Sequence, residues 1–486
     1  MNGYIIALVI YSILLVSVGL IASRLVKRGS DFFVASRTLG PGLVFSTFLA
    51  ANIGAGSTVA ATGLAYRIGA SAWWWVGSAA IGCLVLAAAV GPRIWTLAKQ
   101  HNFYTVGDFL EKRYSRAVRG LAAVLIWFGT LTILAGQLIA IAWILNVVAG
   151  LSKPVGCLLG GVVAIAYFTA GGLVSAAWVN MAQVCIKMSG FAVAVPVALA
   201  AAGGLDGIRD RLASRAASGY FDFTGIGPAG VAGYLLLLAP SFVASPGLLQ
   251  KLYGARDRKA VVWGVGLNAM AMLAFAFLPV ALGAVAAVKF PNLPQQELAL
   301  PMLMIQVLPF WLGAWALAAV FSAELSAADA VLFMLSTSLV KDLYQSFIHP
   351  QADDHQLLRL SRFCALGAGA VGIMLAILLP SIIVSLSIFY ALVSVALFMP
   401  LLLGIYCARP GPGPTIAAIM ISVAVTVGMQ LWTGGRGLWG ISPVAWGIGT
   451  SAAVMLLGMA GRRPGRSGRA ENSSHSKRWN PESGKQ

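Results

Sequence analysis

The chain of 486 residues is 59% hydrophobic and only 10% charged, with a mean hydropathy of +0.86; soluble domains carry about 25% charged residues. Its net charge of +18 is spread over short connecting segments and a basic tail. That distribution excludes a nucleic-acid-binding face as its explanation. Apolar runs longer than about 18 residues recur along it, the pattern of an all-α polytopic membrane protein.

The first apolar run, 3–23, lacks a basic leader and an obvious cleavage site. It reads as a retained span and not as a signal peptide. Further spans are expected at 44–66, 71–98, 119–149, 155–170, 173–201, 230–249 and 260–288. The series closes with 311–338, 360–379, 381–406, 413–432 and 441–460, about 13 transmembrane helices in all. Basic residues gather in alternate connections: Arg24, Lys27, Arg28 and Arg37; Lys99, Lys112, Arg113, Arg116 and Arg119; Lys251, Arg256, Arg258 and Lys259; Lys341, Arg359 and Arg362. The positive-inside rule then places the N-terminus outside and the C-terminus in the cytoplasm. An odd number of spans requires the same arrangement. Residues 1–461 form the membrane domain. Residues 462–486, rich in Arg, Ser, Gly and Asn, are expected to be a disordered basic cytoplasmic tail that fixes orientation or meets anionic membrane lipid. The five cysteines lie in or beside apolar segments without metal-ligand spacing, which makes them packing residues.

Two spans carry interruptions. FLAANIGAGSTVAATG (48–63) puts Asn52, Gly54, Gly56, Ser57 and Thr58 at membrane depth, and LLLLAPSFVASPGLLQ (235–250) puts Pro240, Pro246 and Gly247 there. A proline removes one backbone hydrogen bond and clashes one turn back, freeing carbonyls. Alone, each reads equally as a small-residue contact or an ordinary kink. Together they stand five spans apart. Spans 2–6 and 7–11 therefore suit an inverted five-helix repeat with two broken helices, the arrangement that places a transport site at the interruptions.

Ionisable residues at membrane depth mark functional positions. Span 9 contains FSAELSAADAVLF, with Ser322, Glu324, Ser326 and Asp329, and span 6 carries Asn180, Gln183 and Lys187 at i, i+3, i+7, on one helical face. Hydroxyls and freed carbonyls are the hard oxygen donors an alkali cation needs, and no His/Cys set suits a transition metal. Lys187 could equally form a buried ion pair with Asp329 or Glu324. The sequence holds no nucleophile–base or metal constellation of an enzyme.

Several segments in order carry a resemblance: SDFFVASRTLGP after the first span, AANIGAG in the second, YTVGDFLEKRY at 104–114 and YFTAGGLVSAAWVNMAQ at 167–183. LLQKLYGARD at 248–257 and LAAVFSAELSAADAVLFMLSTSLVKDLY at 317–344 complete it. Over about residues 1–460 the chain resembles the sodium:solute symporter family, the group with the proline, pantothenate and sodium/glucose transporters. The resemblance implies an inverted five-helix repeat opening alternately to each side. It also implies a Na+ site formed by carbonyls of Ala50 and Ile53 with Ala323, Ser326 and Ala327. Two positions depart from the family. It usually has adjacent hydroxyls where this chain has Ser326-Ala327, and many members carry Asp where this chain has Asn180, near a second proposed ion site. Asp329, one turn beyond, would restore a charge as ligand or proton acceptor.

The solute pocket is expected between the two breaks, lined by Asn52, Ser57, Trp75, Phe242, Ser245 and Tyr390. For the run Trp73–Trp75 an interfacial belt is the competing explanation, and for Tyr390 it is packing. Sugar-transporting relatives place polar or ionisable groups around this cavity, and few stand here. A smaller solute is expected, such as an organic acid or amino acid, with half-helix N-termini available to an anionic group. The expected activity is Na+-coupled symport of a small organic solute across the cytoplasmic membrane. The alternatives are H+ coupling through Glu324 or Asp329, or a transporter-like sensory membrane protein.

Overall fold

The computed structural model describes residues 2–23, 34–169, 173–216, 219–407 and 410–460. The expected basic tail and the first residues of SDFFVASRTLGP lie outside them. The described chain is nearly all helical, and ten of its helical stretches are long and apolar enough to cross a membrane. Two shorter apolar stretches, Gly3–Leu15 and Lys153–Phe168, accompany them. This is a multi-pass membrane protein.

Both expected interruptions are present. The helix Pro41–Asn52 stops at Ile53, whose backbone is extended at φ −95° and ψ 94°. A wide turn over Gly56–Ala60 then leads into the helix Ala61–Ile68. The helix Gly227–Ala244 stops at Ser245, with φ −57° and ψ 118°, and Pro246 opens the helix Pro246–Tyr253. Proline is suited to that first position, where its missing N–H costs no helical hydrogen bond.

One helix runs through the centre. Phe310–Thr337 is almost entirely buried, Ala323 to Asp329 included. It packs against the helices Leu173–Ala201 and Arg116–Ala149, so the ionisable residues of spans 6 and 9 face protein and not lipid, as charge at membrane depth requires. Lipid-facing apolar side chains such as Ile13, Phe128, Trp263 and Leu431 are exposed around it.

Three residues counted above as loop charges, Arg119, Lys251 and Lys341, are interior. Arg119 is buried near the start of the helix Arg116–Ala149. Its guanidinium bonds Asp342 Oδ1 at 2.9 Å, Asp108 Oδ1 at 2.9 Å and Glu111 Oε2 at 2.7 Å. Lys251 lies in the second half of the broken helix Pro246–Tyr253 and is also buried. Hydropathy assigns a charge near a span end to the loop, but a long side chain can equally turn inward to a partner.

Candidate functional site

The first break is held open by its own Ser57 and by side chains from two other helices. Ser57 Oγ accepts from Gly54 N at 3.1 Å and donates to Asn52 O at 3.0 Å, folding the extended backbone back on itself. Gln137, from the helix Arg116–Ala149, accepts from Ala55 N at 2.9 Å through Oε1. Asn52 Nδ2 donates to Asn268 Oδ1 at 3.3 Å, tying the first half-helix to the helix Arg258–Phe275. Glycine is required at 54: a Cβ there would lie 2.5 Å from Ala327 Cβ and 2.8 Å from Gln137 Oε1. The broken backbone thus lies directly on the central helix, beside the Ser326-Ala327 pair.

The carbonyls freed by this break have a partner. Lys187 Nζ donates to Ala50 O at 3.2 Å, to Ile53 O at 3.2 Å and to Ser326 Oγ. Ser326 Oγ in turn lies 3.0 Å from Ala50 O and 3.1 Å from Ala323 O. An ammonium has three donors and no acceptor, and three oxygens meet it. Lys187 is fully buried, a position that is unfavourable for an ammonium unless its hydrogen bonds are made. The ion pair considered from sequence is replaced by these contacts. Glu324 accepts from Thr58 Oγ1 at 2.7 Å, and Asp329 is close enough to Lys251 for their charges to interact. Asn180 is buried, with its Oδ1 lacking a hydrogen-bond partner among the described residues. Oxygens from Ala50, Ile53 and Ser326 therefore converge on one point, with Ala323 O adjacent. Ala327 stands there as a methyl group against Gly54 and offers no side-chain oxygen. The set fits a cation, but the cation these contacts hold is the protein's own.

Between the two breaks lies a cavity of about 80 Å³ lined by Asn52, Ser57, Trp75, Phe242, Ser245 and Tyr390, all six residues expected from the sequence. A water molecule needs roughly 10–15 Å³ by this measure, so the space suits a solute of several non-hydrogen atoms. Its aromatic wall is continuous: Tyr390 lies with its ring centroid 5.6 Å from Phe242 and 6.0 Å from Trp75. Trp75 Nε1 donates to Gly56 O at 2.9 Å. Trp75 is thus a wall of the cavity, anchored on the break, and not part of an interfacial belt. Among the lining residues that sequence reasoning missed are Gln137 and Lys251. Gln137 is an amide at the middle of a long apolar span, a signal that was available. Lys251 Nζ reaches Thr47 O at 3.4 Å and is the charged side chain in the lining. Its neighbour Pro246 marks the break, but its inward direction depends on the tertiary path.

The sequence profile of the sodium:solute symporter family matches residues 32–423. The sodium/pantothenate symporter of Escherichia coli (strain K12) is 26% identical over 446 residues, spanning 86% of this chain and 88% of that protein. The sodium/glucose cotransporter of Vibrio parahaemolyticus is 24% identical over 454 residues, spanning 85% and 82%. Among solved structures, the substrate-bound outward-open state of a Na+-coupled sialic acid symporter superposes with a TM-score of 0.80. It is 17% identical and covers 94% of this chain and 97% of its own. The overall fold is therefore shared.

Proposed function

The chain belongs to the sodium:solute symporter family, and from that premise we propose that it is a secondary active symporter. It moves a small organic solute across the cell membrane by alternating access, coupled to a cation. The family and the relatives above are transporters, and Na+ is the cation their names supply. In this reading about 13 spans carry the chain from an outside N-terminus to a cytoplasmic C-terminus. Spans 2–6 and 7–11 form the inverted repeat. The observation that supports the reading most is the cavity between the two helix breaks, with an aromatic wall and a few convergent polar groups, the general form of a ligand site. H+ coupling in the same fold is a second reading, favoured by the placement of Lys187 on the oxygens that a bound Na+ would need.

Lys251, the charged side chain in the cavity lining, selects for a solute of opposite charge. A carboxylate in the cavity meets this ammonium, so small organic acids and amino acids are the solutes of choice. The test is uptake by proteoliposomes of a panel of acids, amino acids and sugars, with Na+ and H+ gradients imposed separately. Gradient-driven accumulation of an acid is expected; uptake unaffected by either gradient contradicts symport. Lys251→Gln is expected to raise the KM for the transported acid tenfold or more, since a charge-assisted hydrogen bond contributes about 1.5–3 kcal/mol. Unchanged KM would remove Lys251 from the recognition of the solute.

A further inference from the structure

We infer that Lys187 supplies a built-in cation at the position where the family's resemblance places Na+, so that Na+ does not bind there while Lys187 is present. The inference deepens the symporter reading and rests on it for the identity of the position, since what it assigns is the occupant of that site.

Two observations carry it. First, the ammonium takes both carbonyls freed at the first break, Ala50 O and Ile53 O, together with the Ser326 hydroxyl. These are the oxygens a cation joining the broken helix to the central helix would use, and Lys187 joins the same two elements. Second, the position lacks the donor that an added ion would need. Ala327 brings its methyl group against Gly54, in place of a second hydroxyl. The Lys187 side chain is thus to this site what a bound ion is to an open one: the bridge that closes the helix break on the central helix. Unlike an ion it is tethered to the helix Leu173–Ala201, so its arrival and departure are movements of that helix or of its own side chain.

The test uses the full chain purified in detergent and 22Na+ as the probe. The unmodified protein is expected to show no saturable 22Na+ binding that depends on Ser326. Lys187→Ala is expected to gain saturable binding, at least tenfold above the unmodified chain, and Lys187→Ala with Ser326→Ala is expected to lose that gain. Saturable binding to the unmodified protein that Ser326→Ala removes would overturn the inference, as would a folded Lys187→Ala protein without any gain. Where Lys187→Ala does not fold, the unmodified chain against Ser326→Ala decides: equal 22Na+ binding supports the inference and lost binding overturns it. Failure of the underlying reading looks different. If uptake in proteoliposomes is driven by Na+ and needs Ser326, symport stands and the built-in cation falls. If no gradient drives any solute, symport falls, while the binding comparison still decides what occupies the position.

Discussion

Lys187→Ala is expected to lower the unfolding temperature of the purified protein in choline chloride, and NaCl is expected to recover part of the loss. The unmodified protein should unfold at the same temperature in both salts. The substitution leaves Ala50 O, Ile53 O and the Ser326 hydroxyl without their ammonium donor. A buried group left unsatisfied costs about 1–3 kcal/mol; the Ser326 hydroxyl keeps Ala50 O and Ala323 O as partners, so the loss falls mainly on Ile53 O and is of that order. Na+ entering the vacated position returns RT ln(1 + [Na+]/Kd), about 1.4 kcal/mol at ten times Kd. With Lys187 in place the same ion meets a unit charge at close range. Two like charges 4 Å apart repel by about 4 kcal/mol at an effective dielectric constant of 20, roughly a thousandfold in affinity. Equal sensitivity of both proteins to NaCl would contradict this account.

Arg119→Met is expected to be more damaging still, and to be insensitive to salt identity. Arg119 stands among three carboxylates, Asp342, Asp108 and Glu111, and also donates to Lys341 O at 2.9 Å. Asp342 is buried and also accepts from Thr105 Oγ1. Removing the guanidinium leaves a buried carboxylate beside two others, and breaking such a pair by deleting one partner costs about 3–5 kcal/mol. The cluster ties the helix Val106–Arg113 and the start of Arg116–Ala149 to the segment Ser338–Ile348 that continues the central helix. The expected readout is loss of monodisperse protein, or a large drop in unfolding temperature. Replacing Asp342 by Asn in the Arg119→Met background should restore part of it, since the unpaired charge is then gone. Normal stability of Arg119→Met would mean the cluster is hydrated and contributes little.

How much of this was legible in the sequence follows from the range of the forces involved. The breaks at Ile53 and Ser245 were readable because their causes are local: glycine and proline act on the backbone within a turn of themselves. The cavity residues Asn52, Ser57, Phe242 and Ser245 followed, since each sits on or beside a break. That Asn180, Gln183 and Lys187 share a face was also readable from helical spacing. Which oxygens Lys187 would meet was not, because that depends on where the helix Leu173–Ala201 passes Pro41–Asn52. Nothing within one segment fixes that. Lys251 and Arg119 failed for a related reason. Charge near the end of an apolar run looks the same in sequence whether it turns to water or to an inward partner. Only the position of Asp329, or of Asp108, Glu111 and Asp342, separates the two.

The central claim, a solute cavity beside a cation position filled by Lys187, is tested most directly by measuring two fluxes in the same vesicles. Proteoliposomes holding the full chain are given the transported solute and 22Na+ at equal Na+ concentration on both sides, and entry of each is counted. The account predicts that any 22Na+ entering with the solute is independent of Ser326, since Na+ does not bind at the position Lys187 fills. Stoichiometric entry of 22Na+ with the solute, abolished by Ser326→Ala, would contradict it.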